Sequence, residues 1–111
     1  MAYDEHLAER VRELICVRPG VSERKMFGGI GWMLGGNMAV GVMSDSRLMV
    51  RMEPEEVEAA CRDAHVHEFG REGAKPMKGF VVVDQDAVED DAALERWIDV
   101  GAARAASMPP K

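Results

Sequence analysis

A helical period runs through the first fifteen residues of the chain. Leu7, Val11, Leu14 and Ile15 recur at i, i+4, i+7 and i+8, one apolar stripe behind Asp4, a residue type that caps helix N-termini. Pro19-Gly20 ends this helix. The period then changes to two. From Arg24 to Met43 larger apolar residues alternate with small ones, and turn signals break the pattern at "GGN" (35–37) and "SDS" (44–46). Three strands follow, roughly 24–34, 37–43 and 47–52, in an antiparallel meander.

Pro54 suits the first turn of a second helix, with Glu55 and Glu56 favourable to its dipole and Val57, Ala60, Cys61 and Ala64 on its inner face. The segment "HVHEFGREGAKPMK" (65–78) is polar and turn-rich, with a short strand at 66–69. "GFVVVD" (79–84) reads as a short buried strand. A last helix, capped by Asp90 or Asp91, sets Leu94, Trp97, Ile98, Gly101, Ala102 and Ala105 on one face. The order α-β-β-β-α-(β)-β-α predicts a two-layer α+β fold: one antiparallel sheet with helices on one face, in a single domain over residues 1–111.

The stretch "RKMFGGIGWMLGGNMAVGVM" (24–43) holds six of the 11 glycines. A phosphate-binding Walker loop needs a lysine and a hydroxyl after its last glycine, but Gly36 is followed by Asn37. The dinucleotide fingerprint needs a third glycine where Leu34 stands, and a helix where another strand follows. The alternation favours a hairpin. It sends Ile30, Trp32, Leu34, Met38, Val40, Val42, Leu48, Val50 and Met52 to one face, where the helices should pack. The other face receives Gly29, Gly31, Met33, Ala39, Gly41, Met43, Met49 and Arg51. Glycine in a strand often marks close approach by another backbone. This second face is therefore expected to be covered, by a second copy of the chain or by a target protein. The alternatives are a half-exposed sheet or cover from the 65–78 segment.

Composition narrows the function classes. The chain has 111 residues, is 47% hydrophobic and carries a formal net charge of −6. Such a chain can form a core, and as an acidic body it is a poor generic ligand for nucleic acid or anionic membranes. No apolar run is long enough to span a bilayer, and "MAYDEHLAERV" is no secretion signal, so a cytoplasmic protein is expected. Cys16 and Cys61, the two cysteines, are expected to be reduced and buried in helices.

Other candidates for chemistry are sparse. Cys61, His65 and His67 gather metal-ligand types, with Cys61 and His65 at i, i+4, but the spacing lacks the paired pattern of a zinc site. The acidic run Asp84, Asp86, Glu89, Asp90 and Asp91 reads as a solvated helix start, without the spacing of a calcium loop. Arg24, Lys25, Arg47, Arg51, Arg71, Lys75 and Lys78 could form a basic border on an acidic body if the fold gathers them.

Four segments carry a family resemblance: "RKMFGGIGWMLGGNMAVGV", "LMVRM", "GREGAKPMKGFVVVD" and "LERWIDVGAARAASMPPK". Together they resemble the N-terminal domain of the TfoX/Sxy family over nearly the whole chain. Its most specific marks are Lys25-Met26-Phe27-Gly28-Gly29 and Pro76-Met77-Lys78-Gly79, neither of them a catalytic motif. The resemblance implies a small α+β fold similar to secretion-chaperone-like domains. It also implies a regulatory role: full-length members act as positive regulators of natural competence together with a cyclic-AMP receptor protein. Those regulators carry a second, C-terminal domain, which does not follow here before Lys111; a stand-alone form is expected.

These readings converge on a non-enzymatic, cofactor-free domain that works by protein contact, with itself as a homodimer or with a transcription regulator. Its expected surface is Gly31, Met33, Gly41, Met43 and Met49, bordered by Lys25, Arg51 and Lys78. A second reading is a metal- or small-ligand-binding protein or enzyme using Cys61, His65 and His67. A third is direct nucleic-acid binding, against which the net charge weighs.

Overall fold

The computed structural model describes residues 3–26, 28–69 and 79–110. Helix α1 (Glu5–Ile15) starts where Asp4 accepts hydrogen bonds from the backbone N–H groups of His6 and Leu7, at 2.9 and 3.2 Å. The bond from Leu7 is the main reason that the Asp4 carboxyl sits below the usual carboxylate range. The predicted stripe is the buried one: Leu7, Val11 and Ile15 enter the core, with Leu14 packed at its margin.

The expected strand 24–34 is two strands. β1 (Val21–Met26) and β2 (Gly29–Leu34) form an antiparallel hairpin in which Met26 pairs with Gly29. Gly28 has φ +79°, a left-handed conformation that glycine adopts without steric cost. β3 (Asn37–Val42) and β4 (Leu48–Arg51) complete the meander as expected. The second helix is shorter than its sequence pattern suggests: a 3₁₀ turn at Pro54–Glu56 leads into α2 (Val57–Ala60), a single turn. β5 (Val66–Glu68) and β6 (Phe80–Val83) follow, then a 3₁₀ turn at Gln85–Val88 and the long helix α3 (Asp91–Ala106), capped by Asp90 through Ala93 N–H at 3.3 Å.

The six strands form one antiparallel sheet in the order β1-β2-β3-β4-β6-β5, an α+β fold in which the expected first strand is divided in two. Helices α1 and α3 cover one face. Leu7, Val11, Ile15, Leu94, Ile98, Ala102 and Ala105 pack there on Ile30, Trp32, Val40, Val42, Leu48, Val50, Val81 and Val83 in one core. Cys16 is exposed rather than buried, because α1 ends at Ile15 and releases it to solvent; Cys61 is half-buried.

A bulge corrects the expected division of faces. Trp32 pairs with Val40, but Met33 pairs with Met38, so Ala39 is an extra residue on β3. Met38 thereby moves to the second face, and Ala39, fully buried, joins the core beneath α3. Here the helix approaches the sheet closely. A Cβ on Gly101 would lie 2.4 Å from the Ala39 carbonyl oxygen and 2.7 Å from Val40 Cγ1. Gly101 weakens the helix intrinsically, and its position shows what it is for: it lets α3 sit directly on the bulge.

Polar pairs fasten the layers. Glu23 on β1 receives Arg12 of α1 at 2.7 Å and the indole N–H of the buried Trp32 at 3.0 Å. Arg10 of α1 donates to the carbonyls of Val88 and Glu89, at 2.8 and 3.0 Å, and to Asp91 at the start of α3. Asn37, the one buried polar side chain among the described residues, donates to the carbonyl of Pro109 at 2.9 Å and ties the C-terminal segment to the β2–β3 turn.

Two expectations follow. Gly101→Ala should destabilise the fold by about 1–3 kcal/mol through overpacking, against a helix-propensity gain of about 1 kcal/mol; denaturant unfolding measures the net loss. Glu23→Ala should cost about 1–3 kcal/mol, because the buried Trp32 donor loses its partner, with tryptophan fluorescence as the readout. The Arg12 hydrogen bond holds the Glu23 carboxyl below its ordinary value. That stabilisation is complete above the ordinary glutamate value of about 4.3 and is lost as pH falls through the lowered folded value. Glu23→Gln should therefore flatten the acid limb of the stability profile.

Candidate functional site: the second face of the sheet

Register defines the second face row by row. Arg24, Gly31, Gly41, Met49, Val82 and His67 form one unbroken row across all six strands. Beside it, Ser22 pairs with Met33 and Met33 with Met38, while Arg51 pairs with Phe80. The expected residues Gly31, Met33, Gly41, Met49 and Arg51 are thus brought together. Lys25 is not among them: it pairs with Ile30 and so points to the helix side, and its neighbour Arg24 takes the second-face position. Lys78 lies outside the described residues, as do Phe27, Arg71, Lys75, Pro76 and Met77. Gly79 directly precedes β6, and its carbonyl accepts from Met52 N–H at 2.8 Å.

This face is not bare. Gly29, Gly31, Gly41, Met49, Phe80 and Val82 are all buried within the chain. On the β4-β6-β5 half the Arg51 guanidinium lies 4.9 Å from the centre of the Phe80 ring, and Phe69 packs on Phe80 at 6.1 Å and a 55° tilt. Burial, with Arg104 adding like charge, pushes the Arg51 pKa down, and its Nη1 donates to the Met38 carbonyl at 3.4 Å. Arg51 is thus a structural strut rather than a free border charge. On the β1-β3 half, Arg24 and Ser22 are exposed and Met33 and Met38 half-buried, with half-buried Met43 just past the end of β3; at the β5 end His67 is also exposed.

Sequence reasoning missed Arg24, Met38, Phe69, Phe80 and Val82 on this face. Met38 was hidden by the bulge. Phe80 and Val82 carried a readable signal: "FVVV" is apolar at every position, as a strand buried on both faces must be.

One end of the face is ionic. His67 Nε2 lies 3.1 Å and His65 Nδ1 3.7 Å from the same oxygen, Asp84 Oδ2. The bond to His67 holds the Asp84 carboxyl below the usual range, helped by Arg47, itself paired with Asp45 at 2.8 Å. The Cys61-His65-His67 constellation does not form. α2 ends at Ala60, so the i, i+4 spacing from Cys61 to His65 falls in a turn instead of on a helix, and both imidazoles face Asp84. Among the described residues no three His, Cys, Asp or Glu side chains are placed to hold a metal ion. Burial and the charge of Glu68 push the Cys61 thiol pKa up, opposite to what a nucleophile requires. The acidic residues serve structure: Asp90 and Asp4 cap helices, and Asp91 holds Arg10.

No described helix is long and apolar enough to cross a membrane. No curated protein matches the sequence. A family model, the TfoX N-terminal domain, matches residues 13–105, from the last turn of α1 to the end of α3. The match takes in all six strands and both turns of the "KMFGG" and "GGN" segments, and the chain belongs to the TfoX N-terminal domain family.

Proposed function

We propose that the chain is a non-enzymatic regulatory module that binds a protein partner in the cytoplasm, through the β1-β3 half of its second face. One observation carries this reading: Met33 and Met38 are opposed across β2 and β3, half-buried, in the row next to the exposed Arg24. Methionine side chains adapt to irregular partners, and a cationic rim favours orientation and rapid encounter with an acidic one. Family membership supports a regulatory role, and a transcription regulator is the kind of partner it suggests, with natural competence one process in which it would act. Gly41 contributes by close strand packing, not as a contact residue. A Cβ at Gly41 would meet the Ile30 carbonyl at 3.1 Å and Met49 at 3.4 Å, so Gly41→Glu would disturb the fold itself.

The test is therefore made on side chains that still reach solvent. The double variant Met33→Glu/Met38→Glu should fold with unchanged secondary structure and should reduce partner capture from the native cell by at least about tenfold. An alternative partner class, nucleic acid, predicts salt-dependent DNA retention that Arg24→Glu abolishes. Undiminished capture of the same partner by the folded double variant would refute the methionine surface.

A further inference from the structure

We infer that β1 is a self-pairing edge, and that two copies of this chain join antiparallel through it, with Arg24 on the two-fold axis. β1 is the terminal strand of the sheet, and among the described residues it is paired only on its β2 side. Its ladder with β2 runs over six consecutive residue pairs, from Val21↔Leu34 to Met26↔Gly29, without a register shift. The irregularity of this sheet lies one ladder further in, between β2 and β3. β1 therefore offers a regular row of outward N–H and C=O groups, contains no proline, and keeps Ser22, Glu23, Arg24 and Lys25 exposed. At the opposite end of the sheet, β5 has three residues and offers much less.

Charge on an edge strand ordinarily blocks such pairing. Here the order of the charges reverses that effect. In a symmetric antiparallel pair centred on residue 24, position 23 of each copy faces position 25 of the other. Glu23 then meets Lys25 twice, on the helix side of the sheet where both already lie. Centring on 23 opposes two glutamates, and centring on 25 opposes two lysines. Only the register through Arg24 is complementary. The like-charged Arg24 pair that it creates is exposed, and its long side chains can diverge into water, where such repulsion is weak. Glu23 has room for the contact: Arg12 and the Trp32 indole occupy part of the carboxylate's acceptor capacity and hold it in place on the strand. The occupant of this edge is a second copy because the complementarity is a property of the strand with itself.

Two measurements test the inference on the full chain. Light scattering across a concentration series should show a monomer–dimer equilibrium, and Lys25→Glu, at an exposed position, should weaken it by about tenfold or more while circular dichroism is unchanged. In a Cys16→Ser/Cys61→Ser background, Arg24→Cys should oxidise to a disulfide-linked dimer, because directly opposed residues in an antiparallel pair fall within disulfide reach. Ser22→Cys, displaced from the axis, should cross-link far less. A protein that stays monomeric to millimolar concentration overturns the inference. So does a dimer that Lys25→Glu leaves intact, or one in which Arg24→Cys fails to cross-link preferentially.

Discussion

The seating of α3 on β3 sets the rest of the molecule. The helix crosses the sheet where β3 carries its extra residue, and at that point the absence of a side chain on Gly101 lets helix backbone meet strand backbone. The bulge turns Ala39 inward under the helix and Met38 outward. With α3 fixed at this depth, Leu94, Ile98, Ala102 and Ala105 reach the valines of β3, β4 and β6. Arg10 then clamps α1 to the start of α3, and Asn37 holds the segment that follows it. A large residue at position 101 would lift the helix from the sheet and open that core along its length.

The elements with strong local chemistry were legible in the sequence. Asp4 and Asp90 cap the helices they precede, the stripe of α1 is the buried one, and "FVVV" is a strand with both faces covered. Two features were not legible. The hairpin around Gly28 follows four polar residues, Ser22 to Lys25, that carry no period of two, so period alone does not show the reversal; the positive φ of Gly28 marks it. The bulge makes Ala39 the extra residue next to Met38, both apolar, so exchanging their faces leaves the hydrophobic pattern unchanged. A pattern reports which residues are apolar, and it is blind to a register change that substitutes one apolar residue for another. The family mark "KMFGG" thereby gains a structural meaning, since it spells the reversal between β1 and β2.

The same limit explains the second face. Its glycines suggested a surface kept bare for a partner, yet Gly29, Gly31 and Gly41 are buried within one chain, and Arg51, Phe69 and Phe80 furnish the β4-β6-β5 half with its own cation–π and aromatic contacts. Alternation along β2 to β4 could not reveal this, because the two aromatic rings, Phe69 and Phe80, come after residue 65 in the chain. Lys25 fell on the wrong side for a simpler reason. Its face is fixed by pairing with Ile30, and the pairing depends on the turn that the pattern concealed.

The charged residues of β1 divide by face in a way that joins the two proposed surfaces. Glu23 and Lys25 belong to the helix side, where Glu23 is held by α1 and by the buried indole, while Arg24 belongs to the methionine side. Pairing of two β1 strands would extend one sheet across both copies and set their methionine-bearing β2-β3 halves next to each other about the two-fold axis. A partner that is itself two-fold symmetric, as most homodimers are, would then engage both halves at once, and the second contact would form at the high effective concentration that linkage provides. In that arrangement modest affinity at each methionine surface suffices for stable binding, and a half-buried, adaptable contact of small area is sufficient for the purpose.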